Sequence, residues 1–136
     1  MRCLTLASEL TRRGHRCLFI CRAHLGKIIE AEGFELYLLE NPNDGASMVV
    51  DDTGDLYAQW LGVPWQKDAR QTLERIKMLA ADWLVVDHYA LDARWEREIA
   101  KVVGQVMVID DLADREHECS LLLDQNLGRK DIDYEQ

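Results

Sequence analysis

The sequence predicts an α/β domain built around a mostly parallel sheet, with helices on both faces. Three observations predict it. Helical periodicity and short apolar runs alternate four times along the chain, helix then strand. The runs Trp83 to Val86 (WLVV) and Val106 to Ile109 (VMVI) are continuously apolar and valine-rich, which suits strands covered on both faces. Each run is followed at once by polar residues, Asp87-His88-Tyr89 after the first and Asp110-Asp111 after the second. Ligands bind along the carboxyl edge of such sheets. The two polar tips therefore predict one shared site at one edge.

The elements follow in order. Met1 to Arg13 reads as a helix, with Cys3, Ala7 and Leu10 on one face and Gly14 as its stop. Arg16 to Cys21 is a strand, and Arg22 to His24 is its carboxyl tip. His24 to Glu32 is a short helix stopped by Gly33, and Phe34 to Leu39 is the next strand. Glu40 to Gly54, rich in Asn, Asp and Gly, is a loop longer than most connections of its kind. Leu56 to Trp65 suits a short helix ended by Gly62 and Pro64. Gln66 to Ala81 is a helix whose inner stripe is Ala69, Leu73, Ile76 and Ala80. Ala93 to Val103 is a helix capped by Asp92 and stopped by Gly104, with Trp95, Ile99 and Val102 inward. Leu121 to Leu123 is a last short strand.

This gives one domain over residues 1–125 and a polar tail over 126–136. An α/β domain normally opens with a strand, so a helix at the start predicts a chain cut at its front, with its first strand missing. The polar tail predicts a cut at its back.

Composition narrows the function. At 48% hydrophobic and 30% charged residues, the chain has the balance of a soluble globular protein. The net charge of −9 and the lack of a basic face argue against long nucleic acid. No apolar run approaches the ~20 residues that span a bilayer, and nothing reads as a signal peptide. A cytoplasmic protein with no membrane partner is the expectation. Cys17 and Cys21 lie on a strand, where four residues cover roughly 13 Å, whereas a single zinc holds its sulfurs at about 2.3 Å. Buried, reduced thiols and no metal are the reading.

Asp87, His88 and Tyr89 carry the sharpest chemical signal. A His beside a carboxylate serves as acid or base near neutral pH, and a Tyr can hold a substrate oxygen. A turn cap at Asp87 and a plain surface His88 fit the same residues. Asp110 and Asp111, with Asp114, Arg115 and His117 following, are a weaker signal, because acidic residues after a strand often cap a turn; Asp111 is the candidate for ligand contact. Arg22 at its strand tip could bind an anion. Trp65 and Asp68 could wall a sugar pocket. No dinucleotide or Walker phosphate loop occurs in the sequence.

The stretches MRCLTLASELTRRGH, FICR, EGFELYLL, WLGVPWQKDARQT, DWLVVDHYALD and VIDDLADREHECSLLLDQNLG together resemble the UDP-sugar hydrolases of pseudaminic acid biosynthesis, often called PseG, and the related SpsG proteins. The resemblance runs over nearly the whole chain, and the DHYALD and IDDLADR–DQNLG blocks are its specific part. It implies a Rossmann-like N-terminal half of a GT-B fold, paired with a C-terminal domain that holds most of the uridine diphosphate. The implied reaction is inverting hydrolysis of UDP-2,4-diacetamido-2,4,6-trideoxy-β-L-altropyranose, with no metal or cofactor.

The resemblance marks Tyr89 and His88 as catalytic candidates and adds Arg2 to Asp87, Asp111 and Arg22 as substrate-binding candidates. In that family a Gly-x-Gly-His loop directly precedes the Met-Arg-Cys block, and its His is the expected base. The loop is absent from these 136 residues, so the resemblance implies little activity for this chain alone. Two other classes compete. One is a GT-B glycosyltransferase, which would need an acceptor. The other is a non-catalytic binding domain. A phospho-receiver is disfavoured because the acidic pair comes late and Asp124, not Lys, follows the last strand.

Overall fold

The structure is a computed structural model, and it describes residues 2–40 and 57–135. It is mixed α/β, and among the described residues the strand pairings are parallel. The chain divides into two compact units, Met1–Ala46 and Ser47–Gln136. The expected loop over residues 40–54 lies outside the described residues beyond Glu40.

The first unit contains α1 (Arg2–Arg12), β1 (Leu18–Arg22), α2 (Ala23–Ala31) and β2 (Glu35–Leu39). β1 and β2 pair in parallel, Leu18 against Glu35 through Arg22 against Leu39. Parallel neighbours need a crossover of about a dozen residues, and α2 supplies it by packing on both strands. Both helices end as the glycines predict. His15 N–H reaches Leu10 C=O at 3.1 Å and Gly14 N–H reaches Thr11 C=O at 2.9 Å; the same double closure joins Phe34 to Ile29 and Gly33 to Glu30. Gly14 has φ +90 and Gly33 φ +79, the left-handed conformation that this closure needs.

The second unit contains α3 (Ala58–Leu61), α4 (Trp65–Ile76), β3 (Trp83–Val86), α5 (Ala93–Ala100), β4 (Gln105–Ile109), β5 (Leu121–Leu123) and a short 3₁₀ helix (Asp131–Tyr134). Its sheet runs β3-β4-β5, with Val86 beside Val108 and Ile109 beside Leu123. The core is built from Val63, Ile76, Trp95, Ile99, Val106 and Val108.

Two helices stop earlier than their periodicity predicts. α4 ends at Ile76 rather than Ala81, because Met78 and Leu79 N–H tighten to i−3 bonds and Ala80 turns to φ +47. Ala80 is therefore exposed, and Asp68 and Thr72 join Ala69 and Ile76 on the buried stripe. α5 ends at Ala100. Val102 and Val103 N–H both turn onto Ile99 C=O, which leaves Val102 exposed and buries Val103 instead. Gly104 is not left-handed and does not cap that helix. Asp92 does cap its start, accepting from Arg94 N–H at 2.9 Å.

Asn126 to Tyr134, expected as a tail, folds back on the strand tips. Arg129 and Asn126 side chains both donate to Asp111 C=O at 3.0 Å. The Tyr134 hydroxyl bonds Asp110 C=O at 3.2 Å and Asp124 Oδ2 at 2.8 Å. No disulfide joins the described cysteines, and all four are partly buried. Among the described residues no helix is long and apolar enough to cross a membrane.

Candidate functional site at the carboxyl edge of the second sheet

Because β3, β4 and β5 are parallel and in register, their polar tips share one edge. Asp87, His88 and Tyr89 stand there with Asp110, Asp111 and Asp124, as the repeated strand-then-polar pattern predicts.

The β3 tip closes into a turn, Leu91 N–H to His88 C=O at 3.1 Å. His88 Nδ1 accepts from Ala90 N–H at 3.0 Å. That bond puts the proton of the neutral ring on Nε2. Tyr89 packs in an aromatic cluster. Its ring centroid lies 5.6 Å from that of Tyr57 and 6.0 Å from that of Trp60, and Tyr57 and Trp60 meet edge to face at 5.1 Å.

The segment after β4 ties the two tips together. Arg115 donates from Nη1 to the carbonyl of Tyr89 and holds Asp114 at 2.8 Å. Its guanidinium also lies 5.1 Å from the centre of the Tyr57 ring. Ala93 N–H bonds Glu116 C=O at 3.0 Å, so the same segment lies along the start of α5.

Beneath it is a buried charged triad. Glu96, wholly withdrawn from water, holds His117 Nδ1 at 2.8 Å and accepts from Glu118 N–H. His117 Nε2 faces Asp110 Oδ2 at 3.9 Å, an ion-pair separation too long for a hydrogen bond. Asp110 Oδ2 accepts from Leu112 and Ala113 N–H at 3.1 and 2.9 Å. Burial alone would lower the His117 pKa, but Asp110 and Glu96 outweigh it and raise it to about 9. Burial would raise Asp110, yet His117 and the two N–H groups hold its carboxyl far below the usual range.

Periodicity missed Glu96, which was absent from the expected inner face of α5. The signal was present: Asp92, Glu96, Ile99 and Val103 follow one helical stripe at i, i+4, i+7 and i+11. The proposed sugar wall of Trp65 and Asp68 does not form. Asp68 is buried and accepts from Trp95 Nε1 at 3.0 Å, while the Arg94 guanidinium lies 5.5 Å from the centre of the Trp65 ring.

Arg2 and Arg22 belong to the first unit. Arg2 opens α1. Arg22 ends β1, is 6% exposed, and donates from Nη1 to Glu40 C=O at 2.7 Å, so its head group secures the strand tip. No protein-family model, curated protein or solved structure matches the chain.

Proposed function

We propose that this chain is the sugar-binding half of a UDP-sugar hydrolase of the pseudaminic acid type, a Rossmann-like half of a GT-B fold. One observation supports it above the others. The two sequence blocks that carry the resemblance, DHYALD and IDDLADREHEC, meet in space: Arg115 of the second holds the backbone of Tyr89 in the first.

In this reading the sugar ring of UDP-2,4-diacetamido-2,4,6-trideoxy-β-L-altropyranose lies at the carboxyl edge. Water attacks the anomeric carbon from the face opposite UDP, and the configuration inverts. The Tyr89 hydroxyl positions the water or a sugar oxygen. His88 Nε2–H donates to a second oxygen, and Asp87 and Asp111 accept from sugar O–H and N–H groups. UDP is a good leaving group, so the base that activates water matters more than an acid. His88 is a donor and His117 is locked between carboxylates, so neither fills that role. The resemblance assigns it to a Gly-x-Gly-His loop, and assigns the uridine diphosphate to a second domain.

Support for a neutral ring at this edge comes from its arginines. Arg94, Arg115 and Arg129 are each turned onto a carboxylate, that of Asp92, Asp114 and Asp124 respectively. The test is to incubate the protein, as its gene encodes it, with the UDP-sugar and no acceptor. UDP release supports hydrolysis. Release only after an acceptor is added identifies a glycosyltransferase, and no release with retained binding identifies a binding domain.

A further inference from the structure

We propose that Trp60, backed by Tyr57 and Tyr89, is the stacking wall for the apolar face of an acetamido-bearing pyranose. This deepens the hydrolase reading and rests on it for the identity of the sugar.

Three observations carry it. The first is exposure. Trp60 is 58% exposed although it belongs to a three-ring cluster. Burying an indole is strongly favourable, so one left open beside packed aromatic rings is a surface suited to a ring-shaped partner.

The second is placement. Through Tyr89 the indole stands beside the β3 tip, at the edge that carries Asp87, His88 and Asp111. Trp83 gives the contrast. It is 50% exposed, but it starts β3 and so lies at the opposite end of the same strand, with no ring contact among the described residues.

The third is rigidity. The rings behind Trp60 are held from a distant part of the chain, since Arg115 bonds the Tyr89 carbonyl and covers Tyr57. A pre-set wall avoids ordering cost on binding.

The electrostatics are compatible with that ligand. With its arginines engaged by carboxylates and further carboxylates at hand, the edge disfavours a diphosphate and favours a neutral ring that donates O–H and N–H bonds. A 2,4-diacetamido-2,4,6-trideoxy sugar offers both features: amide N–H donors, and a ring face and methyl groups that pack on an indole.

The experiment follows the four tryptophan indole N–H signals of the ¹⁵N-labelled chain during titration. The Trp60 signal is assigned by its loss in Trp60→Phe. The probes are free 2,4-diacetamido-2,4,6-trideoxy-altropyranose and, separately, UDP. The sugar should move the Trp60 signal progressively to saturation, leave Trp83 in place, and bind about tenfold more weakly to Trp60→Ala. UDP alone should not move Trp60. The proposal is overturned if Trp60 does not respond to the sugar, if Trp83 responds equally, or if UDP moves Trp60 as far as the sugar does. UDP release is scored independently. Hydrolysis with a silent Trp60 sinks the stacking wall alone, and a responding Trp60 without hydrolysis sinks the hydrolase reading alone.

Discussion

His117 Nδ1 lies 2.8 Å from Glu96 Oε1, with side chains 5% and 0% exposed. Removing one member of a buried charged set leaves the others without compensation, typically at about 3–5 kcal/mol. His117→Phe should lower the unfolding free energy by about that amount, read from urea titration. Glu96→Gln keeps an acceptor and should cost less than Glu96→Ala; equal losses would mean that the contact is packing alone.

The same triad sets a pH dependence. His117 has a folded pKa of about 9 against an ordinary 6.5. Its contribution is therefore complete below about 6.5 and is lost as pH rises through about 9. Asp110 is shifted down from 3.8, so its contribution is present above that value and fades as pH falls below it. Urea midpoints should be highest between about pH 4 and 6.5 and decline on the alkaline side. In His117→Phe the part of that decline due to the imidazole should be missing.

Tyr89→Phe tests the proposed chemistry. It removes one hydroxyl and leaves the backbone carbonyl that Arg115 holds. In the protein as its gene encodes it, turnover should fall at least tenfold while UDP affinity stays within about twofold. Unchanged turnover would remove Tyr89 from the site and leave it as part of the aromatic cluster only.

Trp95→Phe removes the donor that Asp68 Oδ1 accepts at 3.0 Å in the interior. The expected loss is about 1–3 kcal/mol. Asp68→Asn should cost less, because its carbonyl oxygen can still accept. Differential scanning calorimetry on both variants ranks them.

Tyr134→Phe tests whether the folded-back segment is fastened by its hydroxyl. Burial and the neighbouring Asp124 push that phenol above its ordinary range, so it stays a donor. The loss should be about 1 kcal/mol, with faster amide exchange in residues 126–134 and none of that acceleration in β3.

The strands and the shared edge were legible because period and polarity agree there. WLVV and LLL are strands to the residue, and Asp87 to Tyr89 follow β3 as the pattern requires. Helix ends were less legible. The tightening after Ile76 and Ile99 comes from backbone bonds that no side chain announces. Glu96 was not legible because a charged side chain predicts exposure, and only a partner 21 residues further on makes its burial tolerable. The aromatic cluster was hidden because Tyr89 joins Tyr57 and Trp60 only through the tertiary fold. Asn126 to Tyr134 looked like a tail because its anchors are polar contacts to Asp110, Asp111 and Asp124, not an apolar stripe.

The distance along the chain from Glu96 to His117 also makes two separate stretches cooperative. α5 seats Trp95 and Ile99 only by carrying the Glu96 carboxylate inward, and that burial is compensated only with the segment bearing His117 in place. The same segment carries Arg115, which holds the carbonyl of Tyr89. Loosening that one segment therefore loosens α5 and the β3 tip together.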